Sequence, residues 1–300
     1  MEYFISCDWG TTALRLRWVK VPELKVLHPV HLNNSGLGQL NLSADEKKEL
    51  LDQQLQLLIK EASGTVDVPC VLSGMASSTI GIRELPYGTL PLTLSTFVIP
   101  YERLEENVYL VSGIAGSEDV MRGEEVQVLG AAQSLNGQSA LAILPGTHSK
   151  HALLENNAMI SFKTYLSGEL FAILRQHSIL SHSLPEVPNE STDFLAFQDG
   201  LSASMGELLN TLFTIRARQL LQGKGPDYNQ DFLSGLLIGT ELQGLSQLTA
   251  SQILLIADGK LAVLYQHALS FLFPKLTVHL FSTEEATILG HYQLIKTIHA

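Results

Sequence analysis

The feature that most constrains the fold of this 300-residue chain is a strand–turn–strand pattern that occurs twice. Residues 3–7 form a short apolar run, and residues 13–19 alternate apolar side chains with arginines, as a half-buried strand does. The turn between these strands is short and polar. The pattern returns where the apolar residues 141–144 lead into a second polar turn and a further strand. The repeat predicts two related α/β units.

Each copy of the pattern continues with a third strand and a helix. In the first copy the strand covers residues 26–32, and Ser43 with Glu46 forms a capping box that opens a helix. In the second copy residues 158–165 and 166–177 supply the strand and the helix. The two copies share little sequence beyond a Gly-Thr dipeptide. The repeat is therefore one of architecture.

The repeat divides the chain into two predicted lobes. An N-terminal lobe covers residues 1–136 and is completed by the C-terminal helix 281–300, which a Ser282–Glu285 capping box opens. A C-terminal lobe covers residues 137–280. Ligand sites favour crevices between domains, so we expect the two polar turns to face one cleft.

The first polar turn is suited to binding an anion. Gly10 can take backbone angles closed to other residues, and the N–H groups and hydroxyls around Thr11 and Thr12 can converge on one point. Asp8 has no basic neighbour within the turn and is a natural partner for hydrated Mg²⁺. The alternative is that Asp8 and Gly10 are ordinary hairpin residues and that the threonines satisfy their own backbone.

The second polar turn offers the same chemistry. Gly146, Thr147, Ser149 and Lys150 are suited to the β- and γ-phosphates of a nucleotide, whereas His148 fits a structural role equally well. The sequence contains no GxxxxGK[ST] motif, so the turns are not P-loops. Two facing hairpins of this kind predict a nucleotide-binding protein.

Composition and charge exclude several other classes. The chain is 45% hydrophobic and 16% charged, as an ordinary globular protein is. Its net charge of −11 argues against binding to nucleic acid or to an anionic membrane. The two cysteines form no disulfide framework, and no apolar run reaches about 18 residues. We therefore expect a cytoplasmic protein.

Duplicated strand–turn–strand lobes resemble the actin-like (ribonuclease H-like) ATPase superfamily, which includes sugar kinases. The resemblance implies a two-lobed α/β fold in which each lobe is a mixed sheet flanked by helices. The segments "DWGTTALRLRW", "SGMASSTIGIRELPY", "EDVMRGEEVQVLGA", "LPGTHSKH", "FKTYLSGELFAILRQHSIL" and "FLSGLLIGTEL" are, more narrowly, similar to those of the 2-dehydro-3-deoxygalactonokinase family, nearly end to end. "LPGTHSK" and "TYLSGELFAILRQHSIL" are the most specific of them.

The family resemblance implies a reaction. Its members use ATP and Mg²⁺ to phosphorylate the terminal (6-) hydroxyl of 2-dehydro-3-deoxy-D-galactonate in galactonate breakdown. The sequence leaves open a kinase of another 2-keto-3-deoxy or aldonic sugar acid, and a non-catalytic sensor that binds a nucleotide or a sugar acid. A homodimer is compatible with the sequence.

Related sugar kinases place their catalytic base at the start of the helix before the second phosphate hairpin. Residues 117–135 are helical in pattern, and the resemblance implies that the base lies there. The candidates are Glu118, Asp119, Glu124 and Glu125, of which we favour Asp119 and Glu124 equally. The alternative is that these acids only complement the helix dipole.

A sugar acid brings a carboxylate that needs a local cation in so acidic a protein. Arg83 and Arg122 are the best placed by sequence, because an arginine fork binds a carboxylate in bidentate fashion. The other expected substrate-binding residues are Ser77, Ser78, Glu84 and Tyr87.

The adenosine contacts are the weakest part of the resemblance. The superfamily usually has a Gly-Gly turn after a late strand, but here the turn reads Asp258-Gly259-Lys260 and keeps one glycine. The remaining prediction is that Gly235 and Gly239 of "SGLLIGTEL" lie near the adenosine.

Overall fold

The computed structural model describes residues 1–62, 68–94, 99–135, 137–247 and 250–299. The chain divides into two compact units. The first unit comprises residues 1–139, 152–162 and 281–300, and the second comprises residues 140–151 and 163–280. The predicted boundary at Asn136 falls on a residue outside the described ranges. Residues 152–162 lie in the first unit, although the sequence-based division gave them to the C-terminal lobe.

Runs of strands are followed by runs of helices in each half of the chain. The strands are β1 Tyr3–Trp9, β2 Ala13–Lys20, β3 Lys25–Asn33, β4 Cys70–Gly74, β5 Gly88–Thr89, β6 Leu92–Thr93, β7 Tyr101–Glu105, β8 Val108–Val111, β9 Ile114–Ala115, β10 Val120–Met121, β11 Ala140–Leu144, β12 Ser149–Glu155, β13 Ala158–Tyr165, β14 Gln252–Ile256 and β15 Thr277–Phe281. The α-helices are α1 Ala44–Ala62, α2 Glu124–Ala132, α3 Ser167–His177, α4 Phe194–Ala203, α5 Leu208–Gln222, α6 Pro226–Leu242, α7 Gly259–Leu272 and α8 Thr283–Ile298.

The first unit is built on a mixed sheet with the strand order β3-β2-β1-β4-β8-β7. The central strand β1 runs antiparallel to β2 and parallel to β4, and β4 runs parallel to β8. Inward side chains such as Trp9 and Leu16 are fully buried against leucines of α1. The register places Asp8 between Arg15 on β2 and Ser73 on β4. Asp8 therefore stands at the end of the sheet where the polar turn begins.

The Ser43–Glu46 capping box is confirmed, and Ser282 is confirmed as the N-cap of α8. The backbone N–H of Glu46 donates to Ser43 Oγ at 3.3 Å, and the Ser43 N–H donates back to the Glu46 carboxylate at 2.7 Å. The N–H of Glu285 donates to Ser282 Oγ at 3.1 Å at the start of α8. Both helices begin where the sequence predicts because these side chains satisfy N–H groups of the first turn.

Helix α8 packs inside the first unit against α2 and the β1–β4 pair. At its centre His291 is fully buried, with Nδ1 2.8 Å from Ser6 Oγ on β1 and Nε2 2.9 Å from Ser73 Oγ on β4. Burial, and next the positive charge of Arg17, lower the pKa of His291 to about 3. A neutral histidine thus ties the last helix to two central strands.

The second unit is formed around the sheet β15-β14-β11-β12-β13, with β11 parallel to β14. Strands β12 and β13 contribute residues to both units, and β6 pairs with the part of β13 that lies in the first unit. The helices of the second unit are α3 to α7. Among the described residues, no helix has the length and apolar character needed to cross a membrane.

Candidate active site

The first polar turn closes the β1–β2 hairpin, where the Gly10 N–H donates to the Ala13 carbonyl at 3.0 Å. The side chains of Thr11 and Thr12 are exposed. Gly10 does not use a positive φ, and a Cβ built there would meet nothing nearer than the Ala13 carbonyl oxygen at 3.9 Å. The backbone angles of Gly10 therefore do not require glycine in this turn, and the space beside its Cα is open.

A neighbouring loop fixes the outer side of this turn. Leu37 N–H donates to the Gly10 carbonyl and Gly38 N–H to the Thr11 carbonyl, each at 3.0 Å. A Cβ at Gly36 would lie 2.2 Å from the Thr12 nitrogen, so only glycine allows this contact. The loop therefore holds the turn in one conformation.

The second polar turn exposes Thr147 and His148 and buries the two residues that follow. A Cβ on Gly146 would have no neighbour within 4 Å among the described residues. The Gly146 N–H donates to Ser149 Oγ at 3.4 Å, while Lys150 on β12 is only 5% exposed. His148 Nε2 lies 2.7 Å from a carboxylate oxygen of Glu169, which supports the structural role that the sequence left open for it.

The two most specific sequence segments touch each other at this turn. A Cβ at Gly168, in the first turn of α3, would lie 2.3 Å from the Gly146 carbonyl oxygen. The Glu169 N–H donates to the Thr147 carbonyl at 3.0 Å. "TYLSGEL" therefore carries glycine because its helix packs directly onto the "PGT" backbone.

A buried network of polar side chains holds the strand that follows the second turn. This network was not predicted from the sequence. Ser149 Oγ is 3.3 Å from Tyr265 Oη, which donates to Glu241 at 2.7 Å. His151 Nε2 is 2.8 Å from the other Glu241 oxygen. Burial first, and then the Glu241 charge, raise the pKa of the Tyr265 hydroxyl well above its usual range. Tyr265 therefore remains a neutral donor and fixes the strand that carries the turn.

The helix that was expected to carry four acids begins later than predicted. Gly116 N–H donates to the Asp119 carbonyl at 2.8 Å, which makes a turn between β9 and β10. Gly123 then takes φ 108°, a conformation outside any α-helix, and α2 starts at Glu124. Glu118 and Asp119 are thus not on the helix. Glu124 and Glu125 form its first turn.

The two helix acids have different environments. The Arg122 N–H donates to the Glu124 carboxylate at 3.0 Å, and Glu124 is half-buried. Glu125 is 1% exposed and accepts from the Gly123 N–H at 2.7 Å. Burial, and next the Glu124 charge, raise the pKa of Glu125 to about 8. Glu125 is therefore protonated at neutral pH.

Gly74 brings the first turn and this helix start together. A Cβ on Gly74 would lie 3.2 Å from Asp8 Oδ1, and a Cβ on Gly123 would lie 3.3 Å from the Gly74 Cα. Gly74 itself has φ 89°, so a side chain there is excluded by conformation as well as by space. Asp8 also forms an ion pair of 3.1 Å with Arg15. The end of β1 and the N-terminus of α2 therefore flank one glycine of β4.

The predicted substrate residues separate into two groups. The Arg122 guanidinium donates to the carbonyl and to Oγ of Ser77, at 2.6 Å each, and stacks 4.2 Å above the Tyr87 ring. Its Nε is buried and has no partner in the described part of the chain. Arg83 instead pairs with Glu102 at the surface.

The other two predicted substrate-binding residues, Ser78 and Glu84, bind no member of this cluster. Ser78 Oγ donates to the Met75 carbonyl at 2.7 Å, and Glu84 is exposed. Of the predicted set, Ser77, Tyr87 and Arg122 form a cluster with an unused N–H donor.

A cavity of about 380 Å³ lies within the second unit, beside the second polar turn. Gly146 and Gly168 line it, together with residues of α3, α6 and α7. Gly235 and Gly239 are not among the lining residues, because their face of α6 packs against α4. A Cβ at Gly235 would lie 2.0 Å from the Phe197 carbonyl oxygen, and one at Gly239 2.5 Å from Ser204 Oγ. The opposite face of α6 lines the cavity, through Gln230, Ser234, Leu237 and Ile238.

Known proteins resemble this chain over nearly its whole length. The model of the family described as 2-keto-3-deoxy-galactonokinase matches residues 8–294. The 2-dehydro-3-deoxygalactonokinase of Escherichia coli (strain K12) is 31% identical over 272 residues, which is 88% of each chain. A crystal structure of a 2-dehydro-3-deoxygalactonokinase protein from Sinorhizobium meliloti superposes with a TM-score of 0.86, at 30% identity and 99% coverage of both chains.

At the level of fold alone, the chain is similar to the activator of the 2-hydroxyisocaproyl-CoA dehydratase from Clostridium difficile. The TM-score is 0.50, at 12% identity and with 99% and 96% of the chains covered. The chain has the fold of the actin-like ATPases, and the matching family model is that of a sugar-acid kinase. The predicted fold class is thereby confirmed. The chain belongs to the 2-keto-3-deoxy-galactonokinase family.

Proposed function

We propose that this protein transfers the γ-phosphoryl group of ATP to the terminal hydroxyl of 2-dehydro-3-deoxy-D-galactonate, in the cytoplasm. The observation that carries the proposal is the adjacency of Arg122 and Glu124. Arg122 offers a guanidinium with a buried, unpaired Nε–H, which suits the carboxylate of a sugar acid. Its backbone N–H binds the Glu124 carboxylate at 3.0 Å. In this proposal Arg122 supplies the cation for the substrate carboxylate, and the adjacent Glu124 supplies the base for the substrate hydroxyl.

In this proposal each group of the first unit has one task. Ser77 and Tyr87 hold the Arg122 guanidinium in place for the sugar carboxylate. Glu124 accepts the proton of the attacking hydroxyl, since it is the half-buried acid at the helix start, whereas Glu125 is fully buried. Glu125 stays protonated, which spares the site a second negative charge.

In this proposal each polar turn is a phosphate-binding element of its own unit. Gly10 and Gly146 carry no side chain although neither packing nor a positive φ requires glycine, and the missing Cβ leaves room for phosphate oxygens to approach the backbone. The exposed hydroxyls of Thr11, Thr12 and Thr147 add donors.

The residues present also fit Mg²⁺. Among the described residues, no group of three or more His, Cys, Asp or Glu side chains could hold a metal by themselves. A single carboxylate at a phosphate-binding turn is what Mg²⁺ uses when phosphate and water supply its other ligands. Asp8 would hold the ion, which neutralises charge on the transferred phosphoryl group when it is bound.

The experiment is a coupled assay of ADP release with 2-dehydro-3-deoxy-D-galactonate, its D-gluconate epimer and D-galactonate. We expect the first to have the highest kcat/KM. Arg122→Ala should raise the KM for the sugar acid by about tenfold or more while the KM for ATP changes little, because a charge-assisted hydrogen bond is lost.

Arg83→Ala is the matched control, and it should leave both KM values near wild type. A higher kcat/KM for another acid would assign a different substrate. Binding of sugar acid and ATP without any turnover would replace the kinase by a sensor.

A further inference from the structure

One residue that lines the cavity of the second unit has a buried polar atom without a partner among the described residues. Gln230 on α6 is 3% exposed and lines the cavity. Its Nε2 donates to the Asn189 carbonyl at 3.5 Å, whereas Oε1 accepts no hydrogen bond from any residue that the structure describes. A buried carbonyl oxygen without a donor is costly and uncommon. Gln230 therefore brings to the wall of the cavity an acceptor that the described residues leave unused.

The surroundings of this atom fit a flat ring. Apolar side chains from three helices line the same cavity: Phe171, Leu237, Ile238, Leu261 and Leu264. The cavity also reaches Gly146 and Gly168 at the second polar turn. A ligand with phosphates at one end and a heterocycle at the other would meet donors at the turn and apolar walls near α6.

We propose that Gln230 reads the nucleobase, its Oε1 accepting a hydrogen bond from the 6-amino group of adenine and so selecting ATP over GTP. The inference rests on the proposed function, because it takes this cavity as the nucleotide site. Guanine carries a carbonyl at position 6, so its oxygen and Gln230 Oε1 would be two acceptors facing each other without a proton between them. A purine without a 6-substituent would leave Oε1 unpaired, and sites built to bind a polar group reject analogues that lack it.

The experiment measures binding by calorimetry, so that turnover is not needed. The ligands are non-hydrolysable ATP and GTP analogues and purine riboside triphosphate, which lacks the 6-amino group. The wild type should bind the adenine nucleotide about tenfold or more tightly than either of the others. Gln230→Met has nearly the same volume and no acceptor, and it should reduce this preference to about twofold or less, since little then distinguishes position 6.

Asn229→Leu is the matched control. Asn229 lies on the same helix, is 1% exposed, has an Oδ1 without a partner among the described residues, and does not line the cavity. Its loss should lower thermal stability and leave the preference for adenine unchanged. A control that abolishes the preference would overturn the assignment.

The wild-type comparison needs no variant, so it decides the matter even if Gln230→Met does not fold. Equal affinity of the wild type for the adenine and unsubstituted purine nucleotides would refute base reading by Gln230 while nucleotide binding stands. An equal loss for all ligands in Gln230→Met would refute it as well. Failure of the wild type to bind any nucleotide is a distinct result, and it would contradict the proposed function itself.

Discussion

Glu124 and Asp119 differ in where the backbone puts them, and this difference has a kinetic consequence. Glu124 is the first residue of α2, next to Gly123, whereas Asp119 lies in the preceding β9–β10 turn and accepts the Val120 N–H through its own side chain. We expect Glu124→Gln to lower kcat by at least about 10²-fold, the lower range for a general base, with ATP binding nearly intact. Asp119→Asn should stay within about threefold of wild type, as expected of a residue outside the chemistry.

The measurement is steady-state kinetics on the best substrate, with calorimetric ATP-analogue binding as the control for folding. A loss in Asp119→Asn as large as that in Glu124→Gln would return the base to the earlier turn.

Glu125 gives the first unit a pH dependence of defined sign. Its pKa is about 8 in the folded protein and near 4.5 when exposed, so the unfolded chain ionises first as the pH rises. Stability is therefore lost between about pH 4.5 and pH 8, by at most about 1.4 kcal/mol per pH unit for this one group.

Glu125→Gln removes this term and retains an acceptor for the Gly123 N–H. Relative to wild type, the variant should gain stability steadily from pH 5 to pH 8 in urea unfolding followed by circular dichroism. A constant difference across that range would contradict a protonated Glu125.

At the scale of elements, alanine substitutions at three glycines of the second unit distinguish effects on stability from effects on ATP binding. A methyl group at Gly168 would collide with the Gly146 carbonyl at 2.3 Å, so Gly168→Ala should lower the melting temperature by several degrees through displacement of α3. Gly146→Ala meets no chain atom within 4 Å. It should melt like the wild type and raise the KM for ATP about tenfold or more, since a methyl group would stand where phosphate approaches.

Gly225→Ala, also in open space but at the N-cap of α6, should leave the KM for ATP unchanged and lower the melting temperature slightly, because alanine caps a helix less well than glycine. Normal ATP kinetics in Gly146→Ala would remove the second turn from phosphate binding.

The sequence predicted the elements whose signals are local. The alternation in β2, the capping boxes before α1 and α8, and the apolar run of β11 all depend on neighbours within a few residues. The start of α2 was missed because the acids at 118 and 119 fit a helical period, while the positive φ of Gly123 does not appear in the sequence pattern.

The sequence could propose candidate site residues only where one motif contained them. Ser77, Tyr87 and Arg122 could be named from a polar loop and the expected charge of the substrate, but Arg83 could not be separated from Arg122 without the partners of each. Tyr265 and Glu241 support Ser149 from 116 and 92 positions away, and no local pattern marks such contacts. Gly235 and Gly239 pack against the α4 segment, and the sequence could not show this because helix packing and ligand approach both use glycine.

At the scale of the whole molecule, the proposed function gives each compact unit its own ligand. The predicted sugar-acid residues lie in the first unit, and the cavity beside the second polar turn lies in the second. A ligand stabilises the part of a protein that it contacts. We expect an ATP analogue alone to slow amide hydrogen exchange mainly in α3, α6 and α7, and the sugar acid alone to slow it mainly near residues 74–88 and at the start of α2.

Hydrogen exchange read by mass spectrometry distinguishes these patterns. Protection of the same peptides by both ligands when each is added alone would contradict the division of labour. Arg122→Ala is the control, and it should abolish the sugar-acid pattern only.

Helix α8 has a consequence for the order in which the chain can fold. It supplies His291 to Ser6 and Ser73 of the first unit, yet the ribosome makes it only after every residue of the second unit. During synthesis the face of β1 and β4 that α8 covers therefore remains exposed while some 140 further residues are made. At typical rates of synthesis this takes on the order of ten seconds. A chaperone that shields apolar surfaces on nascent chains would have its longest opportunity at this face.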